Sequence, residues 1–509
     1  MNVGSLLTNS ANKYPQRLAI ISEEGRWPYK AFEQRTNQLA GSMRKAGLKK
    51  GDRVGILFFN SSYFTEVYFA AVKIGLVATP INFRLIGPEI SHILNDSQPS
   101  ILFYGSEFET TLDSIQGQLE KPPLLVSPHH DSASAAQNYE DFLLQGDSVS
   151  PMTDVCEADP CQLMYTSGTT GKPKGAVLTH RNVLWNLFNT ILTREDRSGE
   201  KALIVGPLYH TAALNNHLTI QVALGGTSII IRKFEPESLL KTIAREGATI
   251  ISGAPALYHM LLQHPQAENY DTRSITKCTA GSDKMPMVLK EQVLAFFPNI
   301  NGIYDVYGCT EASPTITVLN AADSLRTDGS VGKPVPFAEV RIVDGENRPV
   351  PAGEVGEVIC RGANVMREYH RNPAGTREAI QDGWLYTGDL ARADEEGFVY
   401  IVDRRKDMIV SGGENIYPRE LEEILLRHPA IVEVAAVGIA DSVWGEAVKA
   451  FVVCEKNNVL TETDVIDFCK QHLAGYKKPK SVAFVSSLPR NAVGKVLKRV
   501  LKQNSNTAD

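Results

Sequence analysis

One stretch of the chain carries the ingredients of an anion cradle: Tyr165-Thr166-Ser167-Gly168-Thr169-Thr170-Gly171-Lys172-Pro173-Lys174-Gly175. Glycines let backbone N–H groups approach an anion closely, and the Ser and Thr hydroxyls add donors. Lys172 and Lys174 supply positive charge for a polyphosphate. The stretch follows a short apolar run, Gln162-Leu163-Met164-Tyr165, that reads as a strand, and precedes Ala176-Val177-Leu178-Thr179-His180, where a helical pattern begins. It is therefore a loop at a strand end. It is not a Walker A loop, because only two residues separate Gly168 from Gly171 and Pro173 follows Lys172.

Further residues of chemical interest follow. Tyr304-Asp305-Val306-Tyr307-Gly308-Cys309-Thr310-Glu311 places aromatics, a glycine, a hydroxyl and a carboxylate within one turn. Such a set can stack a purine, admit its phosphates past Gly308, and hold Mg²⁺ through Glu311 with Thr310 alongside. His210 ends a strand in Pro207-Leu208-Tyr209-His210, where open α/β sheets place ligands. Asp389 sits on the Thr387-Gly388-Asp389 turn, from which a carboxylate accepts both hydroxyls of a ribose; Arg404 adds a donor for ribose or phosphate. Lys495 lies just past Gly494 and is a compact charge suited to neutralising migrating phosphate charge. Gly412 and Gly413 let a slender ligand arm pass close to the backbone, and Trp444 offers a flat face on which a base can stack. Taken singly, each has a plain alternative: a solvated lysine, a loop histidine, a half-buried tryptophan. His129-His130 lacks partners at zinc spacing and is not read as a metal site.

In this order the motifs resemble those of the adenylate-forming enzymes, the acyl-CoA synthetase and luciferase superfamily, and the resemblance covers the whole chain. It implies that the loop from Thr166 to Lys174 holds the ATP phosphates and that Tyr307 flanks adenine. Glu311 and Thr166 would hold magnesium, and Asp389 and Arg404 the ribose. His210 would line the acyl pocket beside the reacting carboxylate, Lys495 would serve adenylation, and Lys406, two residues after Arg404, would be the hinge. The implied cofactors are ATP, Mg²⁺ and coenzyme A. The implied reaction has two steps: acyl-adenylate formation with release of pyrophosphate, then displacement of AMP by CoA. The segment Val402 to Asn415 looks most like bacterial fatty-acid–CoA ligases, and Thr211-Ala212-Ala213-Leu214 suit an aliphatic tail. The expected acid is thus a medium- or long-chain fatty acid. An aryl acid of the benzoate or cinnamate type is the alternative, because some aryl-CoA ligases carry a tryptophan matching Trp444. Malonyl-CoA synthetases carry a histidine where Ala212 stands and an arginine where Val306 stands, so a dicarboxylate is not expected. A non-catalytic nucleotide sensor would have shed Lys495, Glu311 or Asp389, and all three are present. One departure is Gly281-Ser282-Asp283-Lys284-Met285-Pro286, where the family usually has a second glycine and a small residue.

The elements that must position these residues read as alternating strands and helices. Arg53-Val54-Gly55-Ile56-Leu57-Phe58-Phe59 is a buried strand, and Asn60-Ser61-Ser62 offers a helix cap. Phe64, Val67, Tyr68 and Ala71 follow at helical spacing, and Gly75 can end that helix. Ile101-Leu102-Phe103-Tyr104 and Pro123-Leu124-Leu125-Val126 repeat the strand signal. The fold class expected is α/β: a large N-terminal domain of wound sheets, a β-rich part after about residue 325, and a small mobile α+β C-terminal domain. The expected domains are residues 1–405 for adenylation and residues 406–509 beyond the hinge. The 509-residue length exceeds what one core sustains, about 250–300 residues. A net charge of −6 with no basic block argues against nucleic acid as a partner. Seven scattered cysteines without a C-x-x-C fit reduced thiols. With neither a leader-like start nor a run of about 18 apolar residues, a cytoplasmic location is expected and peripheral membrane contact is left open.

Overall fold

The computed structural model describes the chain except residues 129–135, 150–153, 167–172, 413, 442, 456–459, 491–493 and 506–509. Two compact units emerge: Met1–Val340 with Ile359–Tyr386, and Arg341–Val358 with Thr387–Asp509. Lys406 lies in the second, in the turn Arg405–Asp407.

The first unit contains two large sheets. In one, six parallel strands run side by side in the order Ile303–Gly308, Lys277–Gly281, Ile250–Gly253, Lys201–Ile204, Thr227–Ile230, Leu18–Ser22. Antiparallel strands Thr315–Leu319 and Gly25–Pro28 flank them. In the other, Lys174–Thr179 pairs antiparallel with Pro160–Thr166, which leads into the parallel set Val77–Pro80, Arg53–Leu57, Ile101–Tyr104 and Leu124–Ser127. The parallel strands are near-continuous aliphatic runs because both faces are covered. Val54, Ile56 and Ile101 of one sheet share a core cluster with Ala202, Ile204 and Ile250 of the other.

The helix expected after Asn60 spans Ser62–Lys73, and the Ser61 side chain accepts from the Phe64 N–H. It ends where expected: Gly75 takes φ +75°. Tyr139–Leu143 forms a short helix whose Asn138 side chain accepts from the Glu140 and Asp141 N–H groups. His129 and His130 lie outside the described residues. All seven cysteines carry free thiols.

The second unit holds a sheet ordered Glu414–Ile416, Ile409–Ser411, Gly445–Cys454, Ile431–Asp441, with Ser481–Phe484 parallel to Gly445–Cys454. Helix Pro418–Leu425 starts at its proline and buries Leu421 and Leu425 against this sheet's core. Among the described residues no helix is long and apolar enough to cross a membrane.

Candidate active site

The glycine-rich loop hangs between Pro160–Thr166 and Lys174–Thr179, with Thr166 paired opposite Lys174. Ser167, Gly168, Thr169, Thr170, Gly171 and Lys172 lie outside the described residues. The strands on both sides of the loop are anchored. The Tyr165 hydroxyl donates to Asp96 Oδ2 at 2.6 Å. Burial, with the Asp96 charge, pushes that phenol up and keeps it a donor. At the far end of strand Lys174–Thr179, Thr179 caps helix His180–Arg194 reciprocally with Asn182, whose amide donates to the Ala363 and Val365 carbonyls.

A third strand completes this corner. Glu368–Tyr369 pairs with Lys174–Thr179, Tyr369 opposite Ala176. The Tyr369 hydroxyl donates to Glu311 Oε1 at 2.6 Å, and Lys174 Nζ stands 5.3 Å from the centre of the Tyr369 ring. The Met366 N–H donates to the Glu311 carbonyl at 2.7 Å. Burial and the Glu311 charge both raise the Tyr369 pKa, so the phenol stays protonated. Through Tyr369 the structure brings Glu311 and Lys174 to the loop end where Thr166 begins. Tyr369 was missed in the sequence: it lies in a two-residue strand, and no spacing pointed to it.

The Glu311 carboxylate has one oxygen held by Tyr369 and no second hydrogen bond among the described residues. No cluster of three or more His, Cys, Asp or Glu that could hold a metal occurs among those residues. A single hard carboxylate fits Mg²⁺, which takes one or two carboxylates plus phosphate oxygens and water, better than a structural zinc.

Glu311 sits in the turn Thr310–Ala312, after strand Ile303–Gly308. Tyr307 is half-buried against the main core and Thr310 opens the turn. The sequence assigned Gly308 to nucleotide approach. The structure supplies a nearer reason for glycine: a Cβ there would fall 1.7 Å from the Pro314 carbonyl oxygen of its own hairpin.

His210 lies at the C-terminal edge of the parallel strands, after Lys201–Ile204 and before the short helix Thr211–Ala213. Its ring packs 4.5 Å from Tyr209, which packs 5.0 Å from Phe83. Buried Asn60 fixes this loop: its amide donates to the Gly206 and Ile231 carbonyls and its oxygen accepts from the Leu208 N–H. At Ser282, where the family's second glycine is replaced, the backbone takes φ +71°, a left-handed conformation costly for a residue with a Cβ.

The remaining candidates belong to the second unit. Asp389 and Arg404 face each other across an antiparallel pair, and Arg404 Nε lies 2.7 Å from Asp389 Oδ1. Asp389 is buried, and the Thr387 hydroxyl accepts from its N–H. Gly412 takes φ +60°, and a Cβ on it would fall 2.7 Å from the Trp444 ring. The Gly412 N–H also donates to the Trp444 carbonyl. Trp444 is thus seated on Gly412 yet 57% exposed. Asp441 holds its loop by accepting from the Val443 and Trp444 N–H groups and pairing with Lys480. Gly413 lies outside the described residues. Lys495 is exposed, next to Gly494, whose carbonyl accepts from Arg490.

Known proteins match the chain over nearly its whole length. Residues 7–370 match the AMP-binding enzyme family and residues 420–495 the AMP-binding enzyme C-terminal domain. A feruloyl-CoA synthase from Amycolatopsis sp is 37% identical over 97% of both chains. The long-chain-fatty-acid–CoA ligase FadD13 of Mycobacterium tuberculosis is 35% identical over 99% of this chain and 98% of its own. The crystal structure of the anthranilate CoA ligase AuaEII with anthranoyl-AMP superposes with a TM-score of 0.89 at 27% identity, covering 99% of this chain and 97% of that one. With relatives of this identity over nearly its full length, the chain belongs to the AMP-binding enzyme family and is an AMP-forming acyl-CoA synthetase.

Proposed function

We propose that this enzyme converts a monocarboxylic acid to its CoA thioester in two steps at one site. A carboxylate is a poor acyl donor because its leaving group would be oxide. Attack of a carboxylate oxygen on the α-phosphorus of ATP breaks the α–β phosphoanhydride, releases pyrophosphate and gives a mixed anhydride. The CoA thiolate then attacks the acyl carbon and AMP leaves with the C–O bonding pair. The observation that carries this reading is the corner where Tyr369 joins Glu311 to Lys174 at the mouth of the glycine-rich loop. Bound there, Mg²⁺ would draw charge from the phosphate oxygens. Glu311 would hold it, with the Thr166 hydroxyl nearby. Lys174 and the loop donors would orient the phosphates, and Tyr307 would flank the adenine. Asp389 and Arg404 would take the ribose hydroxyls, and His210 would face the reacting carboxylate. Lys495 would neutralise charge during adenylation, and rotation at Lys406 would then bring Gly412, Gly413 and Trp444 to the thiol acceptor.

The acid has two readings. A medium- or long-chain fatty acid is supported by the small residues after His210 and by the fatty-acid ligases among the relatives. An aryl acid is supported by exposed Trp444, by the feruloyl-CoA synthase, and by polar groups beyond His210. Pyrophosphate release from MgATP, with fatty acids of graded length and with benzoates and cinnamates, tests both. Release that needs an acid and consumes CoA supports the ligase reading. Release with every acid but without CoA consumption assigns another acceptor, and no acid-dependent release contradicts the reading.

A further inference from the structure

The parallel strands that end beside His210 carry a polar relay on one face. Ser252 and Thr279 are register partners on neighbouring parallel strands, so their side chains share a face. Thr279 Oγ1 donates to Ser252 Oγ at 2.5 Å, and Ser252 Oγ lies 2.8 Å from His217 Nε2. His217 comes from a wide helical turn, Leu214–Leu218, that follows His210 by one helix. With Ser252 accepting from Thr279, its own proton goes to His217 Nε2. The neutral imidazole then carries its hydrogen on Nδ1, which has no hydrogen-bond partner among the described residues. Burial, with the nearby Arg194 charge, pushes the His217 pKa down to about 3, so the ring is neutral across the working range.

This relay borders open space. Leu214, Asn215, Asn216 and Leu218 are fully covered, while His217 between them keeps accessible surface. Ser252, Gly253 and Gly281 do likewise, although Ile250, Ile251 and Cys278 on the same strands are buried. Two residues below Thr279 on the same face, a step of about 6.6 Å, stands Lys277. Its Nζ is tied to Asp196 at 2.8 Å and Glu200 at 3.1 Å, and Asp196 also binds Arg194 at 2.6 Å. That cluster is compensated within itself and sets charge one step down the strand from the relay. A long apolar chain would lie against hydroxyls and imidazole and abut ion pairs, at a desolvation cost. The step from Gly281 to Thr279 matches one aromatic ring with a para oxygen.

Resting on the acid–CoA ligase reading, we infer that His217, Ser252 and Thr279 form a specificity site that recognises a compact aryl acid through an oxygen substituent remote from its carboxylate. His217 Nδ1–H donates to that oxygen. An acid lacking it leaves a buried donor unpaired, which is how sites built for hydroxyls reject their deoxy analogues.

The test is kcat/KM for thioester formation with 4-hydroxycinnamate, cinnamate and palmitate, in wild type and in His217→Leu, Ser252→Ala and Thr279→Val. Wild type is expected to favour 4-hydroxycinnamate over cinnamate by at least about tenfold, with palmitate poorest. The ratio of the two cinnamates is expected to fall to about one to two in His217→Leu, and Ser252→Ala gives the same result if His217→Leu misfolds. A preference for cinnamate or palmitate, or variants that scale both cinnamates equally, overturns the assignment. Calorimetric titration of 4-hydroxycinnamate into wild type and Ser252→Ala reads the site without turnover. Weaker binding by the variant supports the relay, and equal binding overturns it. Absence of acid-dependent pyrophosphate release with all acids contradicts the ligase reading alone.

Discussion

Tyr369 donates its hydroxyl to Glu311 at 2.6 Å from a strand that pairs with the one bearing Lys174. The phenol therefore sits between the carboxylate proposed to hold the metal and a lysine proposed to hold phosphate, with Lys174 Nζ above its ring. Removing the hydroxyl costs one charge-assisted hydrogen bond, about 1.5–3 kcal/mol, and frees Glu311 to rotate. Tyr369→Phe is expected to slow adenylation by about 10- to 100-fold and to raise the Mg²⁺ concentration needed for half-maximal rate. Pyrophosphate exchange across a magnesium series checks this. An unchanged magnesium dependence would leave Tyr369 with a packing role only.

Ser282 holds φ +71° directly after strand Lys277–Gly281. A left-handed conformation costs a residue with a Cβ about 1–2 kcal/mol, offset by the extra chain entropy that glycine loses. Ser282→Gly is expected to stabilise the first unit by about 0.5–1 kcal/mol, read as a rightward shift of a urea unfolding curve at constant slope. A leftward shift would mean that the serine side chain makes contacts worth more than its strain.

Stability is also tied to pH through His180. Its Nδ1 accepts from the Val3 N–H at 3.0 Å, and the ring is fully buried. Burial holds its pKa down at about 4, against an unfolded value near 6.5. Between those values the unfolded chain binds more protons than the folded one. The contribution is therefore intact above about pH 6.5 and is lost as pH falls toward 4, to a total of roughly 3 kcal/mol. His180→Gln, which keeps an acceptor near Val3, is expected to flatten the melting temperature between pH 6.5 and 4 relative to wild type. Parallel pH profiles would contradict this.

Much of the fold was legible in the sequence, and so were the residues proposed for the site, but not the contacts that join them, for identifiable reasons. Ile101–Tyr104 is a run of large apolar residues covered on both faces, and Ser61 is a hydroxyl just ahead of a helical stripe. Local chemistry wrote both. The glycine-rich stretch stood out because its glycines, hydroxyls and lysines are contiguous, and its central residues lie outside the described ones. Tyr369 was not, because its importance arises from pairing with Ala176 and reaching Glu311, contacts between distant parts of the chain. The same holds for His217, Ser252 and Thr279, which come from three separate elements and meet only because two parallel strands share a register. Gly308 was read as making room for a ligand, whereas the Pro314 carbonyl already occupies the space of a side chain. Composition does not reveal what lies opposite a glycine.

The most direct test of the central claim separates the two half-reactions. Acid-dependent exchange of labelled pyrophosphate into ATP, without CoA, reads adenylation alone, and thioester formation from a synthetic acyl-adenylate with CoA reads the second step alone. The account predicts that wild type performs both and that Lys495→Ala loses exchange by at least about 100-fold while still forming thioester from the supplied adenylate. Exchange that survives in Lys495→Ala, or a wild type that shows no acid-dependent exchange, would contradict it.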